Sequence, residues 1–261
     1  MKLIKKVVDD LKFAAVLLSL LYYTTNFKSY LKLWITSGKN LTLNFKKGLR
    51  IKITHRMDAF VIKEVLVDRI YDVNLENPTN VIDIGAHIGL FSLFQKIKYP
   101  NANIIAYEPN IDTFRLLSFN IKINKKNIKA VQAGVAGKTG TRILYKNILS
   151  PTSSFLNTAN TYGKDKVKTY SFVDTLNENG IDRCDLVKID CEGAEFEIIL
   201  DAPKKLFSKI KYLIIEFHEN FNNHSYKELV DRLLMENYEI GLVINKNDKN
   251  VGILYAENIM L

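Results

Sequence analysis

Cysteine is nearly absent from this 261-residue chain: Cys184 and Cys191 are the only two. They are too few for a disulfide framework or for a zinc site of their own. Proline is sparse as well, at 5 residues, while 47% of the chain is apolar and 25% charged. That composition excludes disorder, collagen-like repeats and a disulfide mini-scaffold. No apolar run approaches the roughly 18–20 residues that span a bilayer. The basic start and the apolar stretch Phe13–Tyr23 have the outline of a signal peptide. However, Asp9 and Asp10 interrupt it and no small-residue cleavage site follows. The expectation is a cytoplasmic protein with reduced thiols.

Charge is unevenly spread. Residues 1–60 hold 12 Lys/Arg and 3 Asp/Glu, whereas residues 61–261 hold 25 of each sign. The whole excess of +9 therefore lies in the first quarter. A neutral body with a basic end argues against a nucleic-acid-binding domain. It suits an appendage that meets an anionic surface, such as the inner face of a membrane.

Apolar residues recur at helical steps from Leu3 to Leu21, which predicts a helix over residues 2–33. Residues 1–40 read as a basic helical appendage and residues 41–261 as the main domain, with its core sheet from about residue 79. Residues 41–53 alternate apolar and polar about Lys47-Gly48, as a β-hairpin does. Residues 59–71 return to helical spacing. From Asn80, short apolar strands alternate with helical stretches at 90–98, 111–123, 194–201 and 225–236. That rhythm predicts an α/β fold with a parallel sheet covered on both faces. Two final strands joined by NKNDKN predict a terminal antiparallel hairpin. Residues 150–166, rich in hydroxyls and amides, read as a long loop at the acceptor side of the site.

The segment VIDIGAHIGLF runs strand, glycine turn, helix. A dinucleotide fingerprint G-x-G-x-x-G starting at Gly85 fails, because His87 and Leu90 stand at the required glycines. No G-x-x-x-x-G-K-[ST] phosphate loop is present either. A tight turn that needs no phosphate suits a nucleoside ligand, and S-adenosyl-L-methionine is one. Glu108 ends the next strand, where a carboxylate accepts hydrogen bonds from ribose hydroxyls. Asp83 lies on the same sheet edge.

A second motif, LVKIDCEGAEFEIIL, places Asp190 at a strand end with Glu192 and Glu195 in the following turn. The next strand ends in Glu216 and His218, which share a face. His218 is the general-base candidate, since an ordinary imidazole titrates near pH 6.5. His87 reads as a lining residue of the pocket. No H-x-x-x-H or C-x-x-C spacing marks a metal site, so none is expected.

Four segments, VIDIGAHIGLFS, YEPNIDTFRLLSFNIKIN, LVKIDCEGAEFEIIL and YLIIEFHE, resemble the FkbM family of class I S-adenosyl-L-methionine-dependent methyltransferases. The likeness covers roughly residues 50–255; residues 1–45 lie outside it. It implies a Rossmann-like seven-stranded sheet in the order 3-2-1-4-5-7-6, with strand 7 antiparallel. It implies methyl transfer to a hydroxyl of a saccharide, glycan or related acceptor. Asp83, Gly85, Ala86, Gly89 and Glu108 would hold the cofactor, with Asp190 near it. Gln132 or a backbone group near Ala133–Val135 would take the adenine. Asp190, Glu192 and His218 would face the reacting centre. Glu64, which with Asp58 resembles acids preceding the first strand of the family, joins His87, Ser153, Ser154 and Glu216 on the substrate side. Ala86 stands where many class I enzymes have a second glycine, a common exchange in this branch. Two other functions compete: RNA methylation using the basic N-terminus, and a non-catalytic cofactor-binding role.

Overall fold

The computed structural model describes residues 20, 23–26, 40–55, 57–147, 153–155, 161–219, 224–245 and 248–261. In chain order, β1 (Leu41–Asn44) and β2 (Arg50–Ile53) form a hairpin, followed by α1 (Asp58–Ile62) and a π-helical turn (Lys63–Asp68). Next come β3 (Asn80–Ile84), α2 (Leu90–Lys98), β4 (Asn103–Tyr107), α3 (Ile111–Ile123), β5 (Lys129–Val131) and β6 (Gly134–Ala136). After them lie β7 (Gly140–Asn147), β8 (Ser153–Ser154), β9 (Thr161–Ser171), α4 (Phe172–Asn177) and β10 (Cys184–Ile189). The chain continues through α5 (Glu195–Leu200), α6 (Lys204–Phe207), β11 (Ile210–His218), α7 (Tyr226–Met235), β12 (Tyr238–Ile244) and β13 (Val251–Asn258).

The main sheet has seven strands in the order β12-β13-β11-β10-β3-β4-β5. Counted along the chain, this is 3-2-1-4-5-7-6. The pairs among β5, β4, β3, β10 and β11 are parallel, and β13 runs antiparallel to both its neighbours. The strands are apolar throughout because both faces are covered. Side chains alternate between two cores. Val81, Ile104, Leu186 and Ile214 join the core under the hairpin, α1, α2 and α3. Ile82, Ile105, Val187 and Ile215 join the one under α4, α5, α6 and α7. Asp83, Lys188 and Glu216 share the parity of the first set, so period-2 geometry sends all three to the hairpin side.

The hairpin is pinned to α3 by two asparagines. Asn120, fully buried, accepts from the Lys52 amide and donates to the carbonyls of Lys52 and Ile88. The Asn124 side-chain carbonyl accepts from the Arg50 amide. A Ser225–Glu228 capping box starts α7.

Three expectations need correction. The helix over residues 2–33 does not run through Tyr23–Asn26, which form a turn and a single antiparallel bridge from Thr24 to Phe45. The rest of that expectation, Leu20 apart, lies outside the described residues. The helix over residues 59–71 is α only to Ile62, then widens into the π turn, closed by Arg69 in the left-handed region. The loop over residues 150–166 is largely sheet where it is described. β8 and the first residues of β9 belong to a second, four-stranded sheet in the order β6-β9-β7-β8. Among the described residues no helix is long and apolar enough to cross a membrane.

Candidate active site

The strand order reverses at β3, whose chain continuation goes to β4 on one side and, later, to β10 on the other. Ligands bind outside the carboxyl ends of strands at such a switch point. A cavity of about 310 Å³ opens there, at the small end of the range for ligand pockets. Its wall includes Glu64, Tyr71, Gly85, Ala86, His87, Glu108, Gly134, Val135, Ser153, Phe155, Lys188, Asp190, Cys191, Glu192 and Glu216.

Its floor depends on Gly85. The backbone amides of Gly85 and Ala86 both donate to the Tyr107 carbonyl, and Gly85 sits at φ +76°. A Cβ there would lie 1.8 Å from the Asp190 carbonyl oxygen. The β3 and β10 ends therefore touch backbone to backbone, and this is the reason for the glycine. Gly89, by contrast, starts α2 against Leu117 and does not line the cavity.

At one end of the cavity, Glu108 accepts the His87 amide on one oxygen and the Asn110 amide on the other, both at 2.9 Å. Each oxygen keeps a lone pair for a ligand hydroxyl. Burial, opposed by those two bonds, pushes its carboxyl up to about 7. His87 occupies the left-handed region at φ +49°, with its Nε2 3.7 Å from Asp58. Burial lowers its proton affinity, so the ring is neutral.

Beneath the cavity, Lys188 is 4% exposed. Its ammonium donates to the Gly85 carbonyl at 2.8 Å and lies 3.5 Å from Asp83 and 3.2 Å from Asp190. Asp83 also accepts the Ser92 hydroxyl at 2.6 Å. Burial raises the Asp83 carboxyl despite Lys188. Burial also works against ionised Asp190, yet Lys188 and His218 together hold it below the ordinary carboxylate range.

At the other end, the Tyr71 hydroxyl donates to Glu216 and lies 3.4 Å from Asp190. Burial and the surrounding acids push the tyrosine up, so it keeps its proton as a donor. Glu216 and Glu192 are each pushed up to about 7, chiefly by burial. Glu64 opens to the cavity's solvent but has protein packed around it. That surrounding, with Glu216 and Asp190 adding to it, pushes the carboxyl up to about 8. His218 lies behind the wall with Nδ1 3.0 Å from the fully buried Glu195. Burial disfavours its charge, but the Glu195 bond and nearby carboxylates raise it to about 10.

The cavity thus gathers Gly85, Ala86, Glu108, Asp190, Glu192, Glu64, His87, Ser153 and Glu216. Other candidates fall elsewhere. Asp83 anchors Lys188 below the floor. Gln132 is exposed and Ala133 buried, and Gly134 and Val135 take the wall position beside them. Ser154 turns away, its hydroxyl donating to the Glu192 carbonyl at 2.7 Å. His218 carries a proton at neutral pH and so does not behave as an ordinary imidazole base. Tyr71 and Lys188 carry weight that the sequence reading did not give them. Glu195, placed there only in the turn after Asp190, holds His218 and also accepts the Cys191 and Gly193 amides. The alternation of Lys188 with Asp190 was a usable signal for the lysine.

Residues 83–240 match the Methyltransferase FkbM domain. Methyltransferase sdnD of Sordaria araneosa is 31% identical over 193 residues, spanning 61% of this chain and 74% of that protein. Hexuronic acid methyltransferase AglP of Haloferax volcanii is 26% identical over 136 residues, spanning 52% of this chain and 54% of that protein. The crystal structure of Methyltransferase FkbM from Methylobacillus flagellatus KT superposes with a TM-score of 0.51 at 15% identity. That alignment covers 95% of this chain and 60% of the other, a likeness of fold. The domain match runs from β3 into β12, across the strand ends that build the cavity, and the chain belongs to the FkbM methyltransferase family.

Proposed function

We propose that the protein is an S-adenosyl-L-methionine-dependent O-methyltransferase acting on a hydroxyl of a saccharide or glycan. The carrying observation is the cavity at the strand switch point, with Glu108 at one end and Asp190, Glu192 and Glu216 at the other. The residues fit this cofactor: the turn at Gly85 and Ala86 lines the cavity with backbone, and buried Glu108 has an open lone pair on each oxygen. When bound, the cofactor supplies a methyl group on a positively charged sulfur. The protein's own task is then to hold the acceptor oxygen in line at near-attack distance, about 3–3.5 Å, and to remove its proton.

Glu216 suits that removal, because a base works best when its proton affinity lies near the operating pH. Tyr71 holds the Glu216 carboxyl in place. Asp190 and Glu192 orient acceptor hydroxyls, and His218 supplies positive charge behind them. The saccharide class is supported by this polar wall and by the AglP relative, whose name gives a hexuronic acid as its substrate.

The direct test is transfer of labelled methyl from S-adenosyl-L-methionine to sugars, nucleotide sugars and extracted glycolipids. Cofactor binding is expected to weaken by about 1.5–3 kcal/mol in Glu108→Ala, the range for hydrogen bonds to a charged group. Ribose hydroxyls donate to the ionised carboxyl, so adenosine affinity is expected to rise with pH through about 7 and then level off. In Glu108→Gln that dependence should vanish. Calorimetry with adenosine, which lacks the amino acid's own titrating groups, measures both effects. Unchanged affinity in the alanine variant removes the ribose assignment.

The basic first sixty residues extend this reading to a lipid-linked acceptor at an anionic membrane surface. Each Lys or Arg near such a surface contributes about 1 kcal/mol. Full-length protein is expected to co-sediment with anionic vesicles at low salt and to release at high salt, and to ignore neutral vesicles. Deleting residues 1–35, which hold 6 Lys and 2 Asp together with the apolar stretch, should weaken the effect. If intact protein ignores anionic vesicles, the membrane role is wrong.

A further inference from the structure

Asp190, Glu192 and His218 each offer a ligand atom, and those atoms all lie within 4.8 Å of one another. They come from the two strand ends that meet at the acceptor side of the cavity. Opposite ligands on one small ion with bonds of about 2.1 Å stand about 4.2 Å apart. Adjacent ligands on such an octahedral ion stand about 3.0 Å apart, so the side chains must draw together by up to about 1.8 Å to close the set around an ion.

Two further observations favour a cation there. The first is the aim of His218. Fully buried Glu195 lies 3.0 Å from Nδ1, and Nε2 lies 3.9 Å from an oxygen of Glu192 and 3.9 Å from one of Glu216. A carboxylate behind one ring nitrogen fixes the tautomer and orientation of a metal-binding histidine. The second is charge balance. Five carboxylates line the cavity: Glu64, Glu108, Asp190, Glu192 and Glu216. Among the described lining residues Lys188 is their ammonium counterpart, and it is shared between Asp190 at 3.2 Å and Asp83 at 3.5 Å below the floor.

We propose that Asp190, Glu192 and His218 form a divalent-cation site on the acceptor side of the cavity. Two carboxylates with one imidazole suit Mn²⁺ or Mg²⁺ better than thiophilic ions. The ion displaces to solvent the proton that His218 otherwise carries on Nε2, and three protein ligands leave positions open toward the cavity for acceptor hydroxyls. The role of the ion rests on the methyltransferase reading: a bound hydroxyl becomes more acidic, and its proton passes to Glu216. The binding itself does not rest on that reading.

The test titrates Mn²⁺ into chelator-treated full-length protein without cofactor, following free Mn²⁺ by electron paramagnetic resonance. One ion per chain is expected. Affinity should fall at least tenfold in Glu192→Gln and in His218→Gln, each checked for folding by circular dichroism. Glu197→Gln, outside the cavity, should bind as the unaltered protein does. Calorimetry with S-adenosyl-L-methionine in EDTA runs alongside. If folded protein takes up no Mn²⁺ at 1 mM, the site is wrong and the cluster is an ion pair held by protonated His218. If all variants bind equally, the ion sits elsewhere and the proposal also fails. In either case, cofactor binding in EDTA leaves the methyltransferase reading standing. Its loss in EDTA and buffer alike removes that reading without touching the Mn²⁺ result.

Discussion

Gly85→Ala is expected to cost far more stability than a methyl group added at an open glycine turn. The residue holds φ +76°, and the added carbon would stand 1.8 Å from the Asp190 carbonyl oxygen. The left-handed conformation alone costs alanine about 1–2 kcal/mol. Overpacking against backbone adds about 1–3 kcal/mol. A loss of this size is a large share of a total of about 5–15 kcal/mol. Gly180 is the control: it holds φ +61° with nothing within 4 Å of its added carbon. Gly180→Ala should lose only the conformational part. Urea unfolding of both variants decides the matter. Equal midpoints would mean that the β3 and β10 ends do not press together as described.

Lys188→Met is the second large effect. Methionine fills similar volume but leaves Asp83, fully buried, without its ammonium partner. Removing one member of a buried ion pair typically costs about 3–5 kcal/mol. The pH dependence has a defined sign. Without Lys188 the folded-state affinity of Asp83 for a proton rises further above its unfolded value. The folded state then binds more protons than the unfolded state, so stability falls as pH rises. The deficit of Lys188→Met should therefore shrink as pH is lowered from 8 toward 5. Adding Asp83→Asn should recover much of it at pH 8. A cost below about 1 kcal/mol would show that the lysine is not the counter-ion of this floor.

The parallel half of the fold was legible because fully buried strands are short apolar runs and their helices are amphipathic. Residues 111–123 read as helix and form α3 over those same residues. The terminal hairpin also read correctly, since β12 and β13 lie either side of a polar turn. The second sheet was hidden for a physical reason. In β9, TYGKDKVKTYS, much of the strand faces solvent, so its composition is that of a charged loop. Pairing with β7, not burial, makes it a strand.

The site divides the same way. Acids at strand ends could be picked out from spacing, but their environments could not. Lys188 looks like any surface lysine until its register opposite Asp83 is known. His218 looks like an ordinary imidazole until Glu195 is found against its Nδ1. Tyr71 and Glu64 enter from a stretch read as plain helix; Glu64 sits inside the π turn and Tyr71 three residues past its end. Gln132 was one candidate for the adenine contact, but the turn after β5 hides Ala133 and presents Gly134 instead.

The insertion of β13 between β11 and β12 has a consequence in time. β11 carries Glu216 and His218, and its outer neighbour is residues 251–258, paired as Glu216 with Ile253 and His218 with Val251. About 40 residues separate the end of β11 from the end of β13, and a ribosome adds about 5–20 residues each second. The strand bearing Glu216 and His218 therefore waits about 2–8 s with an unpaired edge on the emerging chain. During that interval its backbone donors and acceptors are open to any other extended segment, and the edge beside the cavity is among the last parts of the sheet to be sealed.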